Sequence, residues 1–137
     1  RPSIIWCDSR AVEVGDMAFK SMGSHYCLNN LLNSPGNFTA SKLRWVMKNE
    51  FKTYQKMDQW MLPGDFIGMK LTGFVRTTVS GLSEGIFWDF KEDGVSEKIM
   101  DEFGFDHTAM ADYGNSFMNH GEIDQAVAKK LNIQVLK

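Results

Sequence analysis

The stretch Asn37-Phe38-Thr39-Ala40-Ser41-Lys42-Leu43-Arg44-Trp45-Val46-Met47-Lys48-Asn49 carries the clearest helical pattern of the chain. Three apolar residues of this stretch, Leu43, Val46 and Met47, fall on one face at helical spacing. Phe51, two residues after the stretch ends, continues the same face. The polar residues between them can stay in water. Thr39 is of a type that often caps a helix start, so we predict an amphipathic helix that begins at this residue.

Shorter patterns surround this helix. Periodicity and breaker residues predict further helices at Arg10–Met22 (weakened by Gly15), around Tyr54–Met61, at Phe66–Leu71 after a capping Asp65, after a capping Ser96, and at Ile123–Leu131. Strands are predicted at Ser3–Asp8, Ile86–Phe90 and Ile133–Leu136, whereas Thr77–Gly81 fits either a strand or a helix start. Strands at both ends with helices between them predict a helix-rich α/β fold that forms a portion of a larger domain.

The composition is that of a globular domain. The chain has 137 residues, of which 43% are hydrophobic and 23% charged, with a formal net charge of −2. There is no basic excess to neutralise nucleic-acid phosphates and no apolar run long enough to span a bilayer. Two cysteines, Cys7 and Cys27, make no disulfide framework, so we expect reduced thiols in the cytoplasm. The abrupt start at Arg1 without a methionine leads us to expect an internal piece of a longer protein.

The segment Trp6-Cys7-Asp8-Ser9-Arg10 is the most promising site. It falls where a predicted strand ends and a helix begins, and ligands of open α/β folds bind at such strand ends. A Trp face packs on the C–H surface of a sugar, and an Asp accepts hydrogen bonds from hydroxyls. The alternative is structural: Asp8 and Arg10 form a local ion pair that fixes the turn, and Trp6 lies in the core. The pattern alone favours neither.

Other candidate chemistry is weak. Gly68 to Gly73 has a spacing loosely like a phosphate loop, but Phe74 and Val75 replace the required Lys and Ser/Thr. His25, His107 and His120 lack a second ligand at helical spacing. No catalytic or metal-binding residue is therefore predicted, and the nine methionines are interpreted as core filler.

Together these segments resemble the FGGY carbohydrate kinases. The stretch quoted first is similar to the family's first signature, which Thr39, Lys42, Leu43 and Trp45 fit, whereas Asn37 replaces the usual aromatic or small residue. Three further segments agree in order: Trp6–Arg10 with the family's Trp-x-Asp-x-Arg, Leu62–Gly73 with its Leu-Pro-x-Asp-Tyr and Leu-Thr-Gly, and Ser80–Asp89 with a xylulose-kinase-like Ser-x-Ala-Ser-Gly-Thr and Phe-Asp region. Gly121-Glu122-Ile123 matches the segment before the catalytic loop.

The resemblance implies a ribonuclease-H-like, actin-like ATPase fold, present in part. Residues 1–137 would form a single partial domain, the central and C-terminal part of the kinase N-terminal domain. The family's Asp-x-Gly-Thr phosphate loop and its Gly-Gly-x-x-Asp base segment are absent from the sequence. Because phosphoryl transfer depends on positioning and charge stabilisation at the phosphates, we expect this chain alone to be inactive. ATP and Mg would bind the full-length parent.

The resemblance also implies a substrate and a site. The parent would transfer the γ-phosphate of ATP to a ketopentose hydroxyl, most closely that of xylulose; the alternatives are a kinase for glycerol, gluconate or a deoxyketose, or a stand-alone helix-rich interaction module. Trp6 and Asn37 fall where relatives contact the sugar, and Asp8 joins them on physical grounds. Lys42 and Trp45 are interpreted as structural residues of the helix. The expected partners are the sugar and the missing remainder of the kinase, with no nucleic acid or membrane; a homodimer stays open.

Overall fold

A computed structural model describes residues 4–134. The helices are α1 Val12–Met22, α2 Ser24–Tyr26, α3 Thr39–Asn49, α4 Phe51–Tyr54, α5 Pro63–Thr72, α6 Val79–Glu84, α7 Glu97–Phe103 and α8 Gln125–Leu131, with a π-helical turn at Cys27–Leu31 and a 3-10 turn at His107–Ala109. The strands are short: β1 Arg76–Thr78, β2 Trp88–Asp89, β3 Gly94–Val95 and β4 Asp112–Gly114. The described chain is therefore helix-rich α/β, as predicted.

Two small sheets connect the helices. β1 pairs in parallel with β4, with Thr77 opposite Tyr113, and β2 pairs antiparallel with β3 through Trp88 and Val95. α1, α3 and α7 pack against one another, and the core lies between them and β2. Trp60 stacks on Phe87 at 4.2 Å between ring centroids. The other large core residues are Met22, Leu31, Leu82, Ile86, Trp88, Ile99, Met100, Phe103 and Phe105.

The first helix approaches the loop before α3 so closely that only glycine fits at one position. A Cβ atom on Gly15 would overlap the backbone of Gly36, its carbonyl oxygen above all. The glycine that weakens the helical pattern in the sequence is thus what allows α1 to pack. This contact fixes α1 against the segment that leads into α3.

A buried carboxylate ties the π-helical turn to the β2–β3 hairpin. Asp89 is 3% exposed and accepts hydrogen bonds from Tyr26 Oη at 2.7 Å and from Asn30 Nδ2 at 3.0 Å. The backbone N–H groups of Lys91 and Glu92 complete its shell. Burial raises the pKa of Asp89, but these hydrogen bonds outweigh burial and lower it overall. The carboxylate is therefore a satisfied structural anchor.

Several predicted elements are confirmed. Ser96 accepts the N–H of Ile99 and caps α7, and Gly104 and Gly73 end α7 and α5 in the left-handed conformation. Thr77–Gly81 is both a strand and a helix start, because β1 ends at Thr78 and the Thr78 side chain caps α6.

Other predictions are wrong. Residues 4–8 form no strand: Asp8 N–H bonds back to the carbonyl of Ile5, which closes a turn. Phe38, not Thr39, is the N-cap residue of α3, and no side chain caps it. The apolar face predicted for α3 does not extend to Phe51, because α3 ends at Asn49. Phe51 belongs to α4 and is more than half exposed. In the predicted terminal strand, Ile133 and Gln134 belong to no strand, whereas Val135 and Leu136, like Ser3 at the other end, lie outside the described residues.

Candidate functional site

Two of the three predicted site residues, Trp6 and Asp8, lie on a turn before α1, residues 5–10, called here the Trp6 turn. Arg10 donates two hydrogen bonds to the Asp8 carboxylate in a bidentate arrangement: Nε lies 2.9 Å from Oδ1 and Nη2 lies 2.8 Å from Oδ2. The backbone N–H of Arg10 adds a third donor at 3.1 Å from Oδ1. These hydrogen bonds from Arg10 hold the pKa of Asp8 below its ordinary value. The carboxylate is therefore ionised and held locally.

The ring of Trp6 is 87% exposed. A side chain of this size is usually largely buried, so the turn presents an indole face that no other described residue covers. The structural alternative for this segment is half right. Asp8 and Arg10 do form the ion pair that fixes the turn, but Trp6 is outside the core.

Helix α3 holds the turn from the other side. Lys42 Nζ donates to the carbonyl oxygens of Ile5 at 2.8 Å and of Trp6 at 3.1 Å. Trp45, one helical turn later, packs under the Arg10 guanidinium, whose carbon lies 4.6 Å from the ring centroid. Positions three residues apart share a helix face, so one face of α3 supplies both contacts. Lys42 and Trp45 therefore have a target on the Trp6 turn, which the sequence interpretation missed.

Asn37 joins the same assembly. Its Nδ2 donates to the carbonyl oxygen of Asp8 at 2.5 Å. Its Oδ1 is buried without a hydrogen-bond partner among the described residues. A buried acceptor without a partner costs roughly 1–3 kcal/mol, but a ligand donor could reach this oxygen only if the surrounding atoms moved. The structure thus joins Asn37 to the Trp6 turn through the carbonyl oxygen of Asp8, while the assignment of Trp6, Asp8 and Asn37 as sugar contacts stays a prediction.

The remaining polar groups form no second site of comparable quality. His107 Nε2 lies 3.1 Å from Glu97 Oε2, with both side chains largely exposed. A cleft of about 320 Å³ between α5 and β1 is lined by Gly68, Thr72, Arg76 and His120 among others, and no predicted site residue lines it. Within residues 4–134, no three His, Cys, Asp or Glu side chains lie close enough together to hold a metal.

The two cysteines are free thiols, one exposed and one buried. Cys7 lies exposed on the Trp6 turn, whereas Cys27 is buried in the π-helical turn. Burial raises the pKa of the Cys27 thiol, so this residue behaves as a small core side chain. None of the described helices is both long and apolar enough to cross a bilayer.

Comparison with known proteins gives a consistent result. Residues 1–136 match the model of the FGGY family of carbohydrate kinases, N-terminal domain. The chain is 30% identical over 138 residues to a xylulose kinase of Staphylococcus xylosus, a match that covers 97% of this chain and 28% of that relative. The chain thus spans little more than a quarter of the length of this relative.

Solved structures show the same fold. A crystal structure described as a xyloylose kinase from Brucella ovis superposes with a TM-score of 0.83 at 21% identity, over 98% of this chain and 28% of that one. A gluconate kinase from Lactobacillus acidophilus gives a TM-score of 0.82 at 16% identity, over 95% and 27% of the two chains. These neighbours have the actin-like ATPase fold of sugar kinases. From the family match over nearly the whole chain, we conclude that the chain belongs to the FGGY family of carbohydrate kinases.

Proposed function

We propose that this chain works as part of an ATP-dependent sugar kinase that transfers the γ-phosphate to a hydroxyl of a ketopentose, xylulose. Within that kinase it forms the central and C-terminal part of the N-terminal domain. The similarity to a xylulose kinase over 97% of the chain supports the substrate class. Free Cys7 and Cys27 are consistent with a reducing compartment, which supports a cytoplasmic location.

The geometry of the Trp6 turn is the observation that carries the proposal. A tryptophan side chain on a residue that is 87% exposed is suited to pack on the C–H surface of a sugar ring or chain. The Oδ1 of Asn37 is buried and unpartnered, so it would accept a hydrogen bond from a sugar hydroxyl only after the side chain turns toward solvent. We assign Trp6 and Asn37 as sugar contacts on this basis.

Asp8 takes a narrower part in the proposed site. Both of its carboxylate oxygens already accept hydrogen bonds from Arg10, and each such bond uses a lone-pair direction that a hydroxyl would need. A contact between Asp8 and the sugar therefore has to use the remaining lone pairs. Its stronger contribution is to fix the turn that carries Trp6.

The phosphate chemistry belongs to the remainder of the proposed kinase. Phosphoryl transfer needs groups that position the nucleotide and stabilise charge on the phosphates. The chain has neither an Asp-x-Gly-Thr nor a Gly-Gly-x-x-Asp segment, and its described residues offer no cluster suited to Mg. We therefore assign ATP, Mg and the catalytic base to residues outside this chain, and we propose that the chain alone transfers no phosphate.

The test is ADP release by the full-length protein that contains this chain, on a panel of D-xylulose, glycerol, gluconate and a deoxyketose. The 137-residue chain is the matched control. We expect release with xylulose from the full-length protein and none from the chain. Release with a different polyol would keep the kinase and replace the substrate. No release with any sugar would contradict the proposal, and turnover by the chain would contradict its inactivity.

A further inference from the structure

We infer that Lys42 and Trp45 are positioning residues for sugar binding: from one face of α3 they hold the Trp6 turn in the conformation that presents the indole. This inference rests on the proposed function for its effect on the sugar, but not for the contacts themselves.

The first step concerns what Lys42 does. A lysine on an amphipathic helix normally extends into water. Here the ammonium donates to two successive carbonyls, those of Ile5 and Trp6. Ile5 O also accepts the N–H of Asp8, which closes the turn. The ammonium thus binds the main chain at the point where the turn begins, directly beside the residue whose ring is exposed.

The second step concerns Trp45. Its ring lies under the Arg10 guanidinium, and that guanidinium forks onto Asp8. An aromatic face against the guanidinium restricts its orientation without using any of its N–H donors. Trp45 therefore restricts Arg10, and Arg10 in turn fixes Asp8. In this way Trp45 stabilises the end of the turn, whereas Lys42 stabilises its beginning.

The third step concerns why the turn needs this support. Residues 4–8 belong to no strand, and the ring of Trp6 contributes little burial of its own. A turn without sheet pairing keeps one geometry only if other groups restrain it. Misplacing a substrate-positioning group by about 1 Å can cost a factor of about a hundred in rate. The side chains of α3, together with Asn37 on Asp8 O, supply that restraint.

The test uses the full-length protein that contains this chain, with Lys42→Met and Trp45→Leu as the disruptive variants. Lys42→Arg and Trp45→Phe are the conservative ones, which keep a donor and a ring. Lys52→Met, at an exposed position on α4, is the matched control for the loss of one lysine. Two quantities are measured: KM and kcat for sugar and for ATP, and hydrogen–deuterium exchange of the peptide that covers residues 4–11.

We expect Lys42→Met to raise the KM for the sugar about tenfold or more, because charged hydrogen bonds to two carbonyls are lost, while the KM for ATP stays within about twofold. Exchange should rise in residues 4–11 and not in α7. Trp45→Leu should act in the same direction more weakly, and the conservative variants should restore most of the wild-type behaviour. Lys52→Met should match the wild type in both measurements.

The two measurements separate the possible failures. If the full-length protein turns over no sugar, the proposed function fails, and exchange in residues 4–11 still decides whether α3 holds the turn. If the protein is an active kinase but Lys42→Met leaves the sugar KM unchanged, the positioning role is refuted. Exchange that rises equally in the Trp6 turn and α7 would mean that Lys42 only stabilises the fold. If Lys42→Met does not fold, Trp45→Leu decides by the same criteria, with Trp45→Phe as its conservative comparison.

Discussion

Tyr26 shows how a single half-buried group links ionisation to stability. Its hydroxyl lies 2.7 Å from Asp89 Oδ2 and 2.9 Å from Ser96 Oγ. The pKa of Tyr26 is raised to about 12, chiefly by burial; the hydrogen bond with Ser96 lowers it and the one with Asp89 raises it. An unfolded tyrosine ionises near pH 10. The native phenol therefore keeps its proton in a range where the unfolded chain has lost it.

Tyr26→Phe should reduce the alkaline loss of stability. Below a pH of about 10 both the folded and the unfolded state hold the phenol proton, so Tyr26 adds no pH dependence to stability there. Between about 10 and 12 the unfolded state loses this proton first, and the free energy of unfolding therefore falls as the pH rises. Urea unfolding at pH 9 and pH 11 would measure this fall for the wild type and Tyr26→Phe. Tyr113→Phe, at an exposed tyrosine, is the control. An equal fall in the wild type and Tyr26→Phe would contradict the assignment.

At the scale of elements, the packing of α1 depends on the absence of one side chain. Gly15 lies in the helix interior, where glycine normally costs about 0.5–1 kcal/mol relative to alanine. That cost is accepted because the backbone of Gly36 occupies the space that a Cβ would need. The close approach brings the loop before α3, and with it Asn37, next to α1.

Gly15→Ala should therefore destabilise the protein despite the better helix propensity of alanine. We expect a loss of about 2 kcal/mol or more in the free energy of unfolding, since backbone must move to admit the methyl group. Gly68→Ala on α5, where no atom lies within 4 Å of the added Cβ, should instead be neutral or stabilising by about 0.5–1 kcal/mol. Chemical denaturation of both variants checks the pair. Equal effects would show that propensity, not contact, decides at position 15.

Elements with local signals could be predicted from the sequence. α7 is preceded by a capping serine and followed by a left-handed glycine, and Gly73 ends α5 as predicted. These signals act within a few residues, so the pattern contains them. The start of α5 was predicted wrongly, because the helix begins at Pro63 and Asp65 lies inside it, where it accepts the N–H of Leu62. The start of α3 was predicted within one residue although no side chain caps it.

Elements that depend on distant partners could not be predicted. The parallel pairing of β1 with β4 joins Arg76 to Asp112, and the segment around Asp112 shows no strand pattern of its own. The π-helical turn is held through Asn30 by a carboxylate 59 positions away. In the candidate site, Trp6, Asp8 and Asn37 were proposed from residue type and resemblance, and their role as sugar contacts stays a prediction. The hydrogen bonds of Lys42 to main-chain carbonyls were missed, because every residue carries a carbonyl and the sequence does not indicate which of them a lysine will contact.

At the scale of the whole molecule, large apolar side chains face outward. Trp6 is 87% exposed and Phe117 fully so, and Phe66, Ile67 and Phe74 are about half exposed around α5. Exposed apolar area on this scale usually marks a surface that another part of a protein covers. This distribution agrees with a chain that spans about 28% of its relative's length.

The isolated 137-residue chain should accordingly bind a hydrophobic dye and self-associate as its concentration rises. The full-length protein at the same molar concentration should do so much less, because the remainder would cover part of these side chains. Dye fluorescence and light scattering after size exclusion measure the two effects. A chain that stays monomeric and binds no dye would count against a covered surface and in favour of a stand-alone module.

The hydrogen bonds from Lys42 to the main chain also bear on which substitutions the Trp6 turn can accept. Carbonyl oxygens are the same whatever amino acid carries them, so the ammonium recognises the path of the Trp6 turn and not its composition. The side chains of Cys7 and Ser9 are both exposed and take no part in these hydrogen bonds. We therefore expect substitutions at these two positions to leave the hydrogen bonds of Lys42 intact.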